Sequence, residues 1–393
     1  MEEKLVISKR SVVLILIAVL IINTTSIIVY TYAPRYLLYL GVNEPTMQLI
    51  ITIFPLTAFV FPPLYGFFSD RIQNRYIFIL FGTIGITFAY FLLFLIQNLI
   101  LIVILLFIFG FFMASSNLLL TLFAEIVEDD KTYISYFNAI IVGGWFLGAQ
   151  GGGIFIDVYG IENIFLLILI ISLPTIIFVV FIKENRSLIL ERYNNKVNKN
   201  PNSIVFNRNE EESPISQSIY YGLFFRNFSI KPIMPILAII MSFHLASDTG
   251  IGFLIGINFL LQFFQMLLIG KVISIDNVKS FMIFGYSLSA VSVFGYIISN
   301  NFWSFLFFQF LVSLSYSMHW AATVTYIAQN TILKNKGKYM GYANAGVFSG
   351  SFAGGLLFSY LLLVFNSDYY IAMYFMIIFP AISALIIFLK FKP

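Results

Sequence analysis

Long runs of apolar residues, separated by short polar segments, dominate the chain from Ser11 to its end. The runs are continuous rather than alternating, which favours helices, and a helix that crosses a bilayer needs about 20 apolar residues. Backbone groups inside lipid must be paired within the structure, so only helices or closed barrels can cross it. The pattern predicts about twelve transmembrane helices, at roughly residues 11–32, 45–69, 75–96, 99–124, 133–157, 162–182, 231–247, 250–270, 280–299, 302–329, 338–365 and 369–390.

One long polar stretch interrupts this pattern, from about Glu184 to Ser218, and it is rich in Asn and Glu. A segment of this composition predicts a flexible linker between two parts of the protein. We therefore expect an all-α integral membrane fold with an N-terminal six-helix half at 1–183, a cytoplasmic linker at 184–230 and a C-terminal six-helix half at 231–393.

The composition supports a lipid-facing surface. Hydrophobic residues make up 60% of the chain and charged residues only 10%, whereas a soluble domain carries about a quarter charged residues. The chain has no cysteine, which excludes disulfides, thiolate metal sites and cysteine nucleophiles. The basic residues form no groove-sized patch, so a nucleic-acid partner is not expected. No metal site, cofactor or nucleotide-binding signature is indicated.

The distribution of charge predicts the topology. If both termini are cytoplasmic, every one of the 22 Lys and Arg residues except Arg35 falls on the cytoplasmic side of the predicted spans. Membrane proteins show this positive-inside bias. The pattern predicts an even number of spans in each half and a multi-pass protein of the plasma membrane.

An internal repeat relates the two halves. The fifth predicted span has the glycines Gly144, Gly148, Gly152 and Gly153. The eleventh repeats their spacing at an offset of 202 residues, with Gly346, Gly350, Gly354 and Gly355. Glycine at every fourth position leaves a flat strip on which another helix can pack closely. We expect these strips to pack along the seam between the halves.

A short loop between the second and third spans has a recognisable pattern. The segment from Gly66 to Arg75 resembles the loop signature of the major facilitator superfamily, although Gln73 and Asn74 depart from it. The four matching positions are Gly66, Asp70, Arg71 and Arg75. The glycines of span five resemble that family's antiporter motif, with Ala149 where the family has proline.

The resemblance implies that this loop is part of a cytoplasmic gate. Asp70 is expected to meet the N-terminus of span eleven, near Gly337, where the helix dipole favours a carboxylate. Arg71 and Arg75 are expected to pair with acids of the loop 128–130 or with lipid phosphate.

The resemblance also implies a central cavity lined by spans one, four, seven and ten. The candidate cavity residues on these spans are Asn23, Thr25, Asn117, Gln309, His319 and Trp320, and spans five and eight add Trp145 and Gln262. Each polar side chain among them has an alternative role as a hydrogen-bonding partner between helices. His244 and His319 are the only two histidines, and they are candidates for carrying a coupling proton or for binding an anionic substrate.

These observations predict a secondary active or facilitative transporter of a small organic solute, working as a monomer in lipid, with proton coupling left open. A proton-coupled exporter of drugs or metabolites is the first alternative, although no Asp or Glu lies at the centre of a span. An intramembrane lipid-handling enzyme would need clustered catalytic groups, and none is found. A transporter-derived sensor would need a soluble signalling domain larger than the linker.

Overall fold

The computed structural model describes residues 9–72, 74–127, 131–182, 215–331 and 333–392, and within these ranges the chain folds into twelve long helices. The first half contains α1 (Lys9–Tyr39), α2 (Glu44–Ile72), α3 (Arg75–Leu95), α4 (Leu99–Ile126), α5 (Lys131–Tyr159) and α6 (Ile164–Val180). The second half contains α7 (Ser218–Ser242), α8 (Asp248–Val272), α9 (Val278–Ile298), α10 (Phe302–Asn330), α11 (Leu333–Val364) and α12 (Tyr369–Lys390). The all-helical membrane fold predicted from the sequence is confirmed.

Eleven of these helices, among the described residues, are long and apolar enough to cross a membrane. The remaining one, α10, has the length, but its buried side carries polar residues that include Gln309, Ser313, Ser315 and His319. Large apolar side chains such as Ile100 and Trp303 point outward and are more than two-thirds exposed. Such side chains suit a lipid environment, where exposure of an apolar surface carries no penalty.

Polar residues between the apolar runs determine where several helices begin. Asn74, Asn98 and Asn301 accept hydrogen bonds from the first free backbone N–H groups of α3, α4 and α10. Asparagine is a favoured residue at this position because its side-chain oxygen pairs with a donor that the helix leaves unsatisfied. Gly41 and Gly160 follow the ends of α1 and α5 with a φ of 80°, a conformation that residues with a Cβ rarely adopt.

The two halves share one hydrophobic core at one end of the bundle. At the other end each half has a core of its own. One cluster of buried residues includes Val29 and Ile50 of the first half and Ile236 and Leu254 of the second. Two further clusters lie towards the opposite end, and each is confined to one half. We call the first end, which contains Asp157 of α5, the closed end, and the other, which contains Arg75 of α3, the open end.

The repeated glycines occupy equivalent contacts in the two halves. A Cβ added at Gly148 would clash with the backbone of α1 at Thr24, and one added at Gly354 would clash with the backbone of α7 at Phe228. The last glycine of each set faces the other half, since Gly153 meets α8 and Gly355 meets α2. The expectation that the whole strip packs along the seam is therefore wrong for three glycines of each set, which pack against the first helix of their own half.

The seventh helix is longer at its beginning than predicted, because it starts at Ser218 rather than at 231. Arg226 and Lys231, which the sequence analysis counted on the cytoplasmic side, lie inside it. The helix also ends earlier, at Ser242, so His244 lies beyond it and not within a span. The rest of the predicted linker, 184–214, lies outside the described residues.

Candidate transport site and gates

An ion pair joins the two halves at the closed end. The guanidinium of Arg35, near the end of α1, pairs with the carboxylate of Asp248 at the start of α8. Both side chains are less than one-fifth exposed. The pair gives a partner to Arg35, the one basic residue that the charge pattern placed outside the cytoplasm.

A second polar contact at the same end involves Asp157 of α5. Its carboxylate accepts hydrogen bonds from the backbone N–H groups of Asp248 and Thr249, both at 2.8 Å. The hydroxyls of Thr249 and Ser247 donate to it at 2.6 and 3.0 Å. These donors form the N-terminus of α8, where the helix dipole favours a negative charge. Asp157 therefore attaches the end of α5 to the other half.

At the open end, the residues of the loop signature pair within the first half. Arg75 donates to Asp70 at 2.9 Å and to Glu125 of α4 at 2.8 Å. The expected contact of Asp70 with the N-terminus of α11 is thus replaced by an ion pair inside its own half. The acids at 128–130, which were expected to pair with the arginines, lie outside the described residues. Arg71 is exposed and forms no ion pair among the described residues.

The contacts that join the halves at the closed end have no counterpart at the open end among the described residues. A Cβ added at Gly66 of α2, Gly143 of α5, Gly270 of α8 or Gly341 of α11 would meet no atom within 4 Å. Between described residues, the hydrogen bonds that join the halves lie at the closed end or near mid-depth. A space between the halves therefore opens towards the end that contains Arg75.

Near mid-depth, aromatic side chains form the boundary between the tight contact and this space. The ring of Trp145 on α5 lies 5.2 Å from that of Phe259 on α8. Gly256, one turn before Phe259, lies against the backbone of Phe146. Trp145, a candidate from the sequence, thus contacts the opposite half directly.

The polar residues of the first half that were predicted to line the cavity form hydrogen bonds mainly within their own helices. The amide of Asn23 donates to the carbonyl of Val19 at 2.8 Å, and that of Asn117 donates to Ala114 at 3.1 Å. The Thr25 hydroxyl donates to carbonyls one turn earlier in α1. Asn23 is partly exposed and Asn117 is exposed, while Thr25 is buried. The structure does not bring these three side chains into one hydrogen-bonded group.

In the second half, a chain of amides links three helices. Gln262 donates to Asn258 at 2.8 Å, and Asn258 donates to Gln309 of α10 at 2.8 Å. The hydroxyl of Tyr296 on α9 also donates to Gln309, at 3.2 Å. For Gln262 and Gln309 this geometry matches the alternative role, as hydrogen-bonding partners between helices.

His319 lies in a buried group of aromatic rings, whereas His244 does not. His319 is 1% exposed, and its Nδ1 lies 2.7 Å from the carbonyl oxygen of Ser315. Its ring centroid is 5.1 Å from that of Tyr286 and 5.5 Å from that of Tyr316. Trp320 stacks on Tyr316 and is partly exposed. His244 lies at the surface, 2.9 Å from the hydroxyl of Tyr370.

Two cations that the sequence analysis missed lie beside His319. The guanidinium of Arg226 is 2% exposed; its Nε donates to Ser289 at 3.1 Å, and it lies 5.6 Å from the ring centre of Tyr316. Lys231 follows on the same helix, close enough to interact electrostatically with both Arg226 and His319. The available signal was length: the apolar run 231–247 is short for a span, and extending it backwards brings in Arg226 and places Lys231 in the interior of the helix.

Comparisons with known proteins agree with this architecture. A family model described as Major Facilitator Superfamily matches residues 14–209 and 219–393. The solved structure of the nucleoside transporter NupG superposes with a TM-score of 0.76 at 11% identity, covering 98% of this chain and 100% of that one. The POT family transporter PepTSo gives a TM-score of 0.75 at 13% identity, covering 97% of each chain. The human organic anion transporter MFSD10 gives 0.63 at 13% identity, covering 96% and 99%. A search of curated proteins finds no significant match.

Proposed function

The chain belongs to the major facilitator superfamily, and we propose that it carries a small organic solute across the plasma membrane by alternating access between its two six-helix halves. In this mechanism the halves rock about a central site, so that the site opens to one side of the membrane at a time. The family assignment and the twelve helices support a role as a membrane transporter.

The division of the hydrophobic core carries the proposal. One cluster joins the halves at the closed end, and a separate cluster stabilises each half at the open end. Each half therefore keeps its own packed core when the other moves away. Packed interfaces switch between discrete arrangements more readily than they deform continuously, so this division favours rocking of two rigid bodies.

The polar contacts between the halves at the closed end can break and re-form. Arg35–Asp248 is one ion pair, and the carboxylate of Asp157 is held by hydrogen bonds to the beginning of α8. Their polar groups can exchange these partners for water when that end opens, so a small change in binding energy suffices to shift the equilibrium. Buried apolar contact around Ile236 and Leu254 adds to the closed state.

The charge pattern supports an orientation. After Arg226 and Lys231 are assigned to α7, all but three of the 22 Lys and Arg residues still fall on the predicted cytoplasmic side, which is the open end. The positive-inside rule supports a cytoplasmic location for both termini, and with that orientation the open end faces the cytoplasm. We propose that the monomer is the functional unit, because both six-helix repeats, with their equivalent glycine contacts, lie within one chain.

The similar solved structures indicate which classes of solute to test first. The solved structures are of a nucleoside transporter, a POT family transporter and an organic anion transporter. A nucleoside, a peptide and an organic anion are therefore the first solutes to test. For proton coupling, His319 remains the candidate of the two histidines that lies inside the bundle.

Two cysteine pairs test the rocking without knowledge of the solute, because the chain has no cysteine of its own. A Cβ at Gly355 would lie 3.4 Å from that of Thr52, close to the separation found in disulfides. The double variant Thr52→Cys/Gly355→Cys should therefore form a disulfide at the closed end. Gly66 and Gly341 lie at matching distances along α2 and α11 from that contact, but face open space.

A double variant Gly66→Cys/Gly341→Cys should form its disulfide only when the open end closes. Alternating access predicts that both double variants cross-link in oxidant, each in its own state. A rigid protein would give the first disulfide and never the second. Single-cysteine variants under the same oxidant control for links between molecules.

A further inference from the structure

Two cations lie deep inside the second half, and no acid among the described residues pairs with either of them. The three ion pairs of the described residues involve Arg35 and Arg75, and none involves Arg226 or Lys231. Arg226 donates to the neutral side chains of Ser289 and Asn227. No Asp or Glu lies at the centre of a helix in the sequence. The pair therefore carries two positive charges that the described part of the chain leaves uncompensated.

Their depth makes this arrangement unfavourable for the protein alone. Lys231 is near the middle of α7, roughly 20 Å along the helix from Ser218. Charged side chains at such depth are disfavoured unless they are paired or line a polar cavity, and they usually mark the pathway of a substrate or ion. The proximity of Arg226 to Lys231 adds repulsion between like charges.

The surroundings of Lys231 make it accessible, unlike Arg226. Lys231 is partly exposed, and its carbonyl accepts a 3.5 Å hydrogen bond from Tyr30 of α1. That contact places Lys231 where the first helices of the two halves meet. A solute that enters the space between the halves can therefore reach Lys231, whereas Arg226 is buried about one and a half turns nearer the open end of the same helix.

We propose that Lys231 and Arg226 bind the anionic group of the transported solute, a carboxylate or a phosphate ester, beside the aromatic side chains of Tyr316 and Trp320. This inference rests on the proposed function and names its substrate class. The anion supplies the missing counter-charge, and the stacked rings of Tyr316 and Trp320 contact the apolar part of the solute. His319 and Ser315 contribute neutral polar groups next to the cations.

A purely structural role for Arg226 accounts for its own contacts but not for the presence of Lys231 nearby. Its hydrogen bonds to Ser289 and Asn227 and its position over Tyr316 could stabilise the packing of α7, α9 and α10. That role gives no reason for a second cation at Lys231, which makes no hydrogen bond or ion pair through its side chain among the described residues. An anion that binds both explains why the two charges lie together.

The test measures thermal melting of the purified full-length protein with small anions at constant ionic strength. The probes are succinate, benzoate, phenyl phosphate and inorganic phosphate, and the neutral controls are succinamide and benzamide. At least one anion should raise the melting temperature of the wild type in a saturable manner, and its neutral analogue should not. Benzoate against phenyl phosphate distinguishes the carboxylate from the phosphate ester.

Lys231→Gln should weaken the binding of the active anion at least about tenfold, as expected for the loss of a desolvated charge partner. Lys271→Gln, at the exposed end of α8, is the matched control and should leave the affinity within about twofold. Without an anion, Lys231→Gln should melt at or above the temperature of the wild type, because an uncompensated charge has been removed. Arg226→Gln provides a second variant with the same expected loss of affinity.

The inference is overturned if no anion stabilises the wild type, if the neutral amides stabilise it equally, or if Lys231→Gln binds the anion as tightly as the wild type. A lower melting temperature of Lys231→Gln without an anion would also overturn it, since that result reveals a counter-charge in the protein. Rocking of the halves is measured separately by the two cysteine pairs. If both pairs cross-link and the anion effects are absent, alternating access stands and the substrate class is wrong.

Discussion

Arg35 of α1 and Asp248 of α8 lie 213 residues apart in the chain and form an ion pair that joins the two halves at the closed end. The carboxylate of Asp157 accepts a hydrogen bond from the backbone N–H of the same Asp248, so α1, α5 and α8 meet there. The contact exists only while the halves are together at this end. Its strength is therefore expected to set the balance between inward-facing and outward-facing states.

Arg35→Gln should shift that balance towards the outward-facing state. Loss of a partly exposed ion pair costs about 1 kcal/mol, which corresponds to a roughly fivefold change in the ratio of the two states. The measurement is the rate at which a hydrophilic maleimide labels a Gln150→Cys reporter, since Gln150 lies in the closed contact near Thr249. The charge exchange Arg35→Asp/Asp248→Arg should return the rate towards that of the wild type. An unchanged rate in Arg35→Gln would contradict a role for the pair in closing this end.

Asp157→Asn should weaken the closed end through the N-terminus of α8. The carboxylate accepts from two backbone N–H groups and two hydroxyls, and an amide can accept with only one atom and lacks the charge. We expect a cost of about 1–3 kcal/mol, seen as faster labelling of the same reporter. Glu162→Gln, an exposed acid at the same end, is the control and should label at the wild-type rate. Equal labelling rates in Asp157→Asn and in this control would contradict the prediction.

Gly148→Ala and Gly354→Ala should each destabilise the protein, because the new methyl group would collide with the backbone carbonyl of Thr24 or Phe228. Overpacking of this kind costs about 1–3 kcal/mol. Gly151→Ala is the matched control on α5, where a Cβ would meet nothing within 4 Å. The readout is the melting temperature of the purified protein. Similar melting of Gly148→Ala and Gly151→Ala would mean that the close approach of α1 and α5 is not needed.

Arg75→Gln should disturb the open end more than Arg71→Gln. Arg75 pairs with both Asp70 and Glu125, whereas Arg71 is exposed. Breaking two ion pairs separates α2, α3 and α4 at this end, so we expect a lower melting temperature and a changed labelling rate at Gly143→Cys. Both variants remove one positive charge, so a general effect of charge would appear equally in the two. Indistinguishable variants would contradict the structural role assigned to Arg75.

His319→Gln should lower solute uptake, while His244→Gln should not change it. His319 is buried against Tyr286 next to the two cations, and His244 lies at the surface beyond the end of α7. The measurement is uptake into proteoliposomes across a range of pH, normalised to the amount of folded protein. A changed uptake or pH profile in His244→Gln would contradict the assignment of His244 to a surface role.

Much of the architecture follows from local pattern. Lipid requires each span to be apolar and internally hydrogen-bonded, so the number and approximate place of the helices can be predicted from hydropathy. The glycines from Gly144 to Gly153 and from Gly346 to Gly355 indicate the repeat. The segment from Gly66 to Arg75 indicates the family. Each of these signals is contained in a short stretch of chain.

The candidate site was less predictable, because its residues are defined by contacts between distant helices. Arg226 was assigned to the linker and Lys231 to the cytoplasmic edge of the seventh span, since a polar beginning of a helix and a charged loop have the same composition. Gln262 and Gln309 were left open between two roles until their amides were found bonded through Asn258. His244 was assigned to a span because apolar residues surround it in the sequence.

By itself, the sequence determined that the protein is a duplicated twelve-helix membrane transporter of a known superfamily, because burial in lipid and close helix packing leave periodic, local marks. Only the tertiary structure decided that Arg35 meets Asp248 and that the core is shared at one end and divided at the other. It also decided that Arg226 and Lys231 lie inside one helix with no acid paired to either in the part of the chain that the structure describes. Pairing of charges and exclusion of water depend on which helices are neighbours in space, and one-dimensional pattern does not contain that information.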